Sequence, residues 1–92
     1  LITSISLGPN PATTRLWIRG RGKGGGRFLV RIYDVAAELV WRGESSAGSL
    51  DLVWNLTTRD GGKASAGIYV VVIDYEALGL AERRIERLGL IR

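Results

Sequence analysis

Side chains able to carry chemistry are few in this chain of 92 residues, and their types exclude more than they offer. There is no Cys and no His. That removes disulfides, thiolate nucleophiles and zinc-thiolate sites, together with the commonest general base and metal ligand. What remains is carboxylate, and among the nine Asp and Glu those that offer acid pairs in principle are Asp34, Asp51, Asp60, Asp74, Glu76, Glu82 and Glu86. A glycosidase needs two such groups facing each other across a cleft, and a domain of this size has little room for one. A calcium site needs several oxygens converging on one loop, whereas Asp60 stands alone among glycines. Turn and surface roles are the expectation for all seven, with no catalytic residue, cofactor or metal.

Cations are the second group. Lys and Arg number 13 against 9 Asp and Glu, a formal charge of +4. Six of them (Arg15, Arg19, Arg21, Lys23, Arg27 and Arg31) fall in one stretch without an acid, around the glycine-rich run Gly20 to Gly26. One reading is a contact for anions or a polyanion, the glycines letting the backbone approach phosphates. The run lacks the Gly-Lys-Ser/Thr of a phosphate-binding P-loop. Basic platforms for nucleic acid interleave aromatics with charge, and only Trp17 is near, so nucleic acid is not expected as a partner. The simpler reading is a flexible, solvated hairpin loop. Trp17 and Trp41 are both candidates to face outward, where they could stack on sugar rings, join an interface between modules, or lie partly under a loop. At the end of the chain, Arg84, Ile85, Arg87, Ile91 and Arg92 belong to a basic, β-prone segment that suits an edge strand guarded by charge.

These groups must be carried by some scaffold, and the apolar pattern specifies it. Alternation and turn residues recur about every 10–15 residues, as in a sandwich. Strands are predicted over Ile2–Leu7, Thr14–Arg19, Arg27–Asp34, Glu38–Arg42, Ser49–Asn55, Ile68–Asp74 and Ala81–Arg92. Leu16 and Ile18 share a face, as do Phe28, Val30 and Ile32, and Leu50, Leu52 and Trp54. Ile68 to Asp74 is apolar on both faces, which marks a central strand. Gly89 is a candidate bulge. One competing pattern is helical: Leu78, Ala81, Ile85 and Leu88 have spacings near 3.6, although Gly79 and Gly89 weaken a helix there. The fold class is therefore all-β, a seven-stranded sandwich of immunoglobulin or fibronectin type III type, filling residues 1–92 as one domain. No apolar run approaches the ~20 residues that span a bilayer, so no membrane insertion is expected.

Three segments, taken in order, carry a resemblance. Pro9-Asn10-Pro11 leads through Thr13-Thr14 into a strand. Val30-Arg31-Ile32-Tyr33-Asp34-Val35 precedes Glu38-Leu39-Val40. Gly48 to Trp54 is followed by a polar loop around Asp60-Gly61 and then Gly67-Ile68-Tyr69. This order resembles the FlgD-like immunoglobulin domain and the related C-terminal sorting domains of bacterial type IX secretion. The resemblance covers about residues 8–92. It departs at Ala37 and Leu56, where the family usually has Gly. Leu56 cannot easily take the positive φ that a Gly permits, so the loop after Trp54 is expected to differ in shape.

The resemblance implies a non-catalytic module, the C-terminal part of a larger secreted or cell-surface bacterial protein. It would act in assembly, anchoring or secretion sorting through sheet edges and loops. Its partners would be proteins, either other modules of the same chain or neighbouring subunits. The terminal strand with Arg84, Ile85, Arg87, Ile91 and Arg92 would be read by export machinery. Two alternatives stand beside it. One is a polysaccharide- or polyanion-binding module using Trp17, Arg19, Arg21, Lys23, Arg27 and Trp41. The other is a flagellar hook-cap assembly domain.

Overall fold

The computed structural model describes all 92 residues. Seven strands follow in chain order: β1 Ile2–Gly8, β2 Leu16–Gly22, β3 Arg27–Tyr33, β4 Leu39–Ser45, β5 Ser49–Trp54, β6 Gly67–Ala77 and β7 Leu80–Leu90. There is no helix. Where the helical spacing competed, β6 and β7 form one long hairpin joined by Leu78 and Gly79, whose φ values of 56° and 73° are those of a tight two-residue turn. The seven strands make two antiparallel sheets, β1-β2-β5 and β4-β3-β6-β7. β4 pairs with β3 rather than joining β5, so the sandwich is three strands against four. An immunoglobulin constant domain instead places its fourth strand beside the fifth.

The core lies between the sheets. Alternate residues of β2, β3 and β5 face it: Leu16 and Ile18, then Phe28, Val30 and Ile32, then Leu50 and Trp54. β6 sits between β3 and β7, as its two-sided apolarity predicts. It sends Tyr69, Val71, Ile73 and Tyr75 inward, while Val72 on the outer face is only 9% exposed. β7 buries only Leu88 and Leu90; its first eight residues, Leu80 to Arg87, stay at least partly exposed.

Four local expectations are corrected. Gly20 to Gly22 belongs to β2, so the glycine loop shrinks to Lys23–Gly26. That loop is tied down: Tyr75 Oη donates to the Lys23 carbonyl and accepts from the Gly26 N–H, both at 2.8 Å. Lys23 N–H adds a bond to the Leu1 carbonyl at 2.7 Å, and Gly48 N–H one to the Gly26 carbonyl at 2.9 Å. A Cβ at Gly22 would collide with the Tyr75 ring, so this glycine serves packing rather than phosphate approach. Gly89 is no bulge, because the β6–β7 register runs unbroken through it; the irregular steps fall at Ile2/Ser4 and Ile32/Tyr33. Finally, Leu56 does adopt a positive φ, 59°, and is 1% exposed. Burial of its side chain overrides the backbone preference.

Candidate functional site

The sequence-adjacent cations separate in space. Trp17, Arg19 and Arg21 project from the outer face of the three-stranded sheet, since Leu16 and Ile18 between them face the core. The Trp17 ring covers Gly8, where an added methyl would sit 2.9 Å away. Arg19 stacks over Trp17 at 5.0 Å and pairs with Asp51 at 3.4 Å. Arg27 lies on the other sheet, paired with Glu44 at 3.3 Å, and Lys23 is in the clamped loop. The acid-free run is therefore divided between two faces and one end of the sandwich.

Trp41 faces inward, contrary to the outward expectation. It pairs with Ile32, and the irregularity at Ile32/Tyr33 skips Val40, so Val40 and Trp41 both turn toward the core. Trp17 and Trp41 thus lie on different sheets and opposite registers and share no platform.

The outer face of the four-stranded sheet carries an ion network. Asp74 accepts from Arg83 Nε at 2.6 Å and from Arg31 at 2.7 Å. These bonds, the Arg83 bond foremost, hold the Asp74 carboxyl below its ordinary value of 3.8 against the opposing effect of burial. Three other carboxylates brace the backbone. Asp34 accepts the Ala36 and Glu38 N–H groups, each at 2.9 Å. Asp60 accepts from Thr58 and from the Gly62 N–H, which lowers its pKa. Glu82 accepts the Ile2 N–H at 2.9 Å and pairs with the Leu1 ammonium at 3.1 Å, which lowers its pKa too.

The feature with most potential for contact is the edge formed by β7. The Pro9-Asn10-Pro11 turn, which contains cis bonds before both prolines, carries the chain across to it. Asn10 Oδ1 accepts the Gly89 N–H at 3.0 Å, and Asn10 Nδ2 donates to the Arg87 carbonyl at 3.4 Å. Ala12 then pairs with β7 in parallel: Ala12 N–H donates to the Gly89 carbonyl at 2.8 Å, and Ile91 N–H to the Ala12 carbonyl at 2.9 Å. Glu82 and the chain start close the far end. Between these two stops Arg83, Arg84, Ile85 and Arg87 are all exposed, Ile85 by 61%. Arg92 does not join this edge: its guanidinium donates to the carbonyls of Ala64 at 2.6 Å and Leu56 at 2.9 Å, clasping the loop between β5 and β6.

Sequence reasoning missed Asn10 as a staple, Tyr75 as a clamp and the role of Tyr69. Tyr69 stands near the start of β6, donates its hydroxyl to the Ser65 carbonyl at 2.6 Å and packs edge-on against Trp54 at 5.6 Å. That is the tyrosine corner of immunoglobulin-type sandwiches. The Gly67-Ile68-Tyr69 segment after a polar loop was the signal available for it.

No family model matches the chain, and no curated protein matches its sequence. Solved structures do contain the fold. Dimeric latent PorU from Porphyromonas gingivalis aligns with a TM-score of 0.77 and 22% identity, over 95% of this chain and 9% of its own. PorZ, an essential bacterial surface component of the type IX secretion system of Porphyromonas gingivalis, aligns with a TM-score of 0.66 and 22% identity, over 97% of this chain and 12% of its own. At such identity the likeness is one of fold. The chain spans about a tenth of the length of each of these proteins.

Proposed function

We propose that the chain is a non-catalytic sandwich module of a secreted or cell-surface bacterial protein. It acts in assembly, anchoring or secretion sorting through its sheet edges and loops. One observation carries this reading: nearly the whole chain matches small parts, 9% and 12%, of two much longer proteins, one of them a surface component of type IX secretion. A fold used in that way is a part attached to other parts. The FlgD-like assignment gains support from Ala37 and Leu56, whose φ values of 61° and 59° are the conformations that a Gly at those positions would supply. The non-catalytic reading is supported by the lack of His and Cys and by the engagement of Asp34, Asp51, Asp60, Asp74 and Glu82 in turns and ion pairs. A saccharide or polyanion site built from Trp17, Trp41 and the basic loop has less support, because those residues lie on separate surfaces.

The sorting arm has a direct test. The chain is fused to the carboxyl end of a periplasmic reporter in a bacterium that has type IX secretion. The reporter is expected to reach the cell surface and become sensitive to protease added to intact cells. A reporter retained in the periplasm, with the module folded, overturns the sorting arm.

A further inference from the structure

We propose that the open stretch of β7 from Arg83 to Arg87 is an acceptor for one added strand, supplied by an extended partner segment with the pattern acidic–x–apolar–x–acidic. The proposal rests on the reading that the module works through its sheet edges, and it names the edge and the chemistry of what binds there.

The backbone defines the window. Gly89 turns both its N–H and its carbonyl away from β6, toward Asn10 and Ala12. Arg87 turns its carbonyl the same way, toward Asn10. Along an antiparallel strand this orientation repeats every second residue. Arg83 and Ile85 therefore point their N–H and carbonyl groups outward, and Arg87 its N–H, with no chain beside them. Even-numbered residues of β7 bond to β6. The unpaired window ends at Asn10 on one side and at Leu1 and Ile2, held on Glu82, on the other. Only an extended backbone matches a row of alternating donors and acceptors of this kind.

The side chains narrow the occupant. On the outer face of the sheet the window presents Arg83, Ile85 and Arg87, opposite Asp74, Val72 and Val70 of β6. Arg83 shares Asp74 with Arg31, and Arg87 has no carboxylate within ion-pair distance. An added strand lays residues i, i+2 and i+4 beside these three positions. Opposite charge beside Arg83 and Arg87 and an apolar residue beside Ile85 are the favourable choices. The pattern reads the same in both directions, so it suits a parallel or an antiparallel strand. A second copy of the chain matches less well: centred on Ile85, an antiparallel β7 pair would set Arg83 against Arg87 twice on this face, although Arg84 and Glu86 would be complementary on the other.

The test uses the full 92-residue chain and the peptide Ser-Glu-Thr-Val-Thr-Glu-Ser, with Ser-Lys-Thr-Val-Thr-Lys-Ser as its control. The acidic peptide is expected to bind in a fluorescence anisotropy titration and to slow hydrogen exchange at the N–H groups of Arg83, Ile85 and Arg87. Those of Arg84 and Glu86, already bonded to β6, should not change. Ile85→Pro removes an outward N–H without breaking a β6–β7 bond and should weaken binding about tenfold. Arg87→Glu leaves the backbone intact, should weaken the acidic peptide about fivefold and should favour the lysine peptide; it keeps the test valid where the proline variant does not fold. The proposal is overturned by absent binding, by equal binding of the two peptides, by protection appearing on another edge, or by a chain dimer that Ile85→Pro abolishes. Reporter export with no strand addition defeats this proposal alone; strand addition without export defeats only the sorting reading.

Discussion

Leu56 and Leu78 share a backbone conformation and differ in burial, so one substitution made at both separates strain from packing. Their φ values are 59° and 56°. A side chain in this left-handed region costs about 1–2 kcal/mol, which glycine escapes. Leu78 is 77% exposed at the tip of the β6–β7 hairpin, whereas Leu56 is 1% exposed. At Leu78 the relief, reduced by the ~0.5–1 kcal/mol entropic cost of glycine, should leave Leu78→Gly more stable by about 0.5–1 kcal/mol. At Leu56 the same relief is set against loss of a buried leucine, about 2–5 kcal/mol. Leu56→Gly should then be destabilised by roughly 1–4 kcal/mol. Leu56→Ala, which loses the burial and keeps the strain, should be worse than Leu56→Gly by about 0.5–1 kcal/mol. Urea unfolding followed by tryptophan fluorescence gives the values by linear extrapolation. Trp54 is a suitable probe, being buried and bonded from Nε1 to the Thr57 carbonyl at 2.9 Å in the same loop. Leu56→Gly at or above the parent stability, or Leu56→Ala above Leu56→Gly, would refute the reasoning.

Three further outcomes are expected. Tyr69→Phe removes the corner bond to the Ser65 carbonyl and should cost about 1 kcal/mol, a melting point lower by roughly 4–8 °C; an unchanged melting point would mean the corner adds nothing. Arg83 and Arg31 depress the pKa of Asp74 below 3.8 in the folded state, so the stability it contributes is present above that value and is lost as pH falls through the lower folded value. Asp74→Asn should cost up to about 1 kcal/mol at neutral pH and flatten the acid limb of a stability–pH curve; an acid limb identical to the parent's would contradict this. Asn10→Ala removes both side-chain bonds to β7, and amide exchange at Gly89 should quicken; unchanged protection there would show that Ala12 alone holds that end.

Period-two alternation made all seven strands legible, and the apolarity of both faces of Ile68 to Asp74 located β6 in mid-sheet. Alternation assigns faces but not partners. It therefore could not tell that Arg19 and Arg27, eight residues apart in sequence, stand on opposite sheets. A single irregular step reverses every face beyond it, which is how the inward turn of Trp41 escaped notice. Leu56 was misjudged because local preference argues against a leucine at positive φ, and only the finished core supplies the burial that overrides it. Asn10, Tyr75 and Arg92 act on partners far along the chain, and no local pattern announces such pairs.

The contacts that close the open side of the sandwich also bear on timing. Ile2 reaches Glu82 across 80 residues, and Asn10 reaches Gly89 and Arg87 across 79 and 77. β7 supplies Leu88 and Leu90 to the core, and Arg92 clasps the loop that carries Leu56. β1 pairs with β2, the next strand in the chain, but its ends cannot reach these contacts until β7 has been made. Sandwiches dominated by such distant pairings fold in about milliseconds to seconds, far more slowly than helical bundles. β7 itself has its partner at hand, β6 across a two-residue turn, so the late step is the docking of the chain start and of Asn10 onto that hairpin.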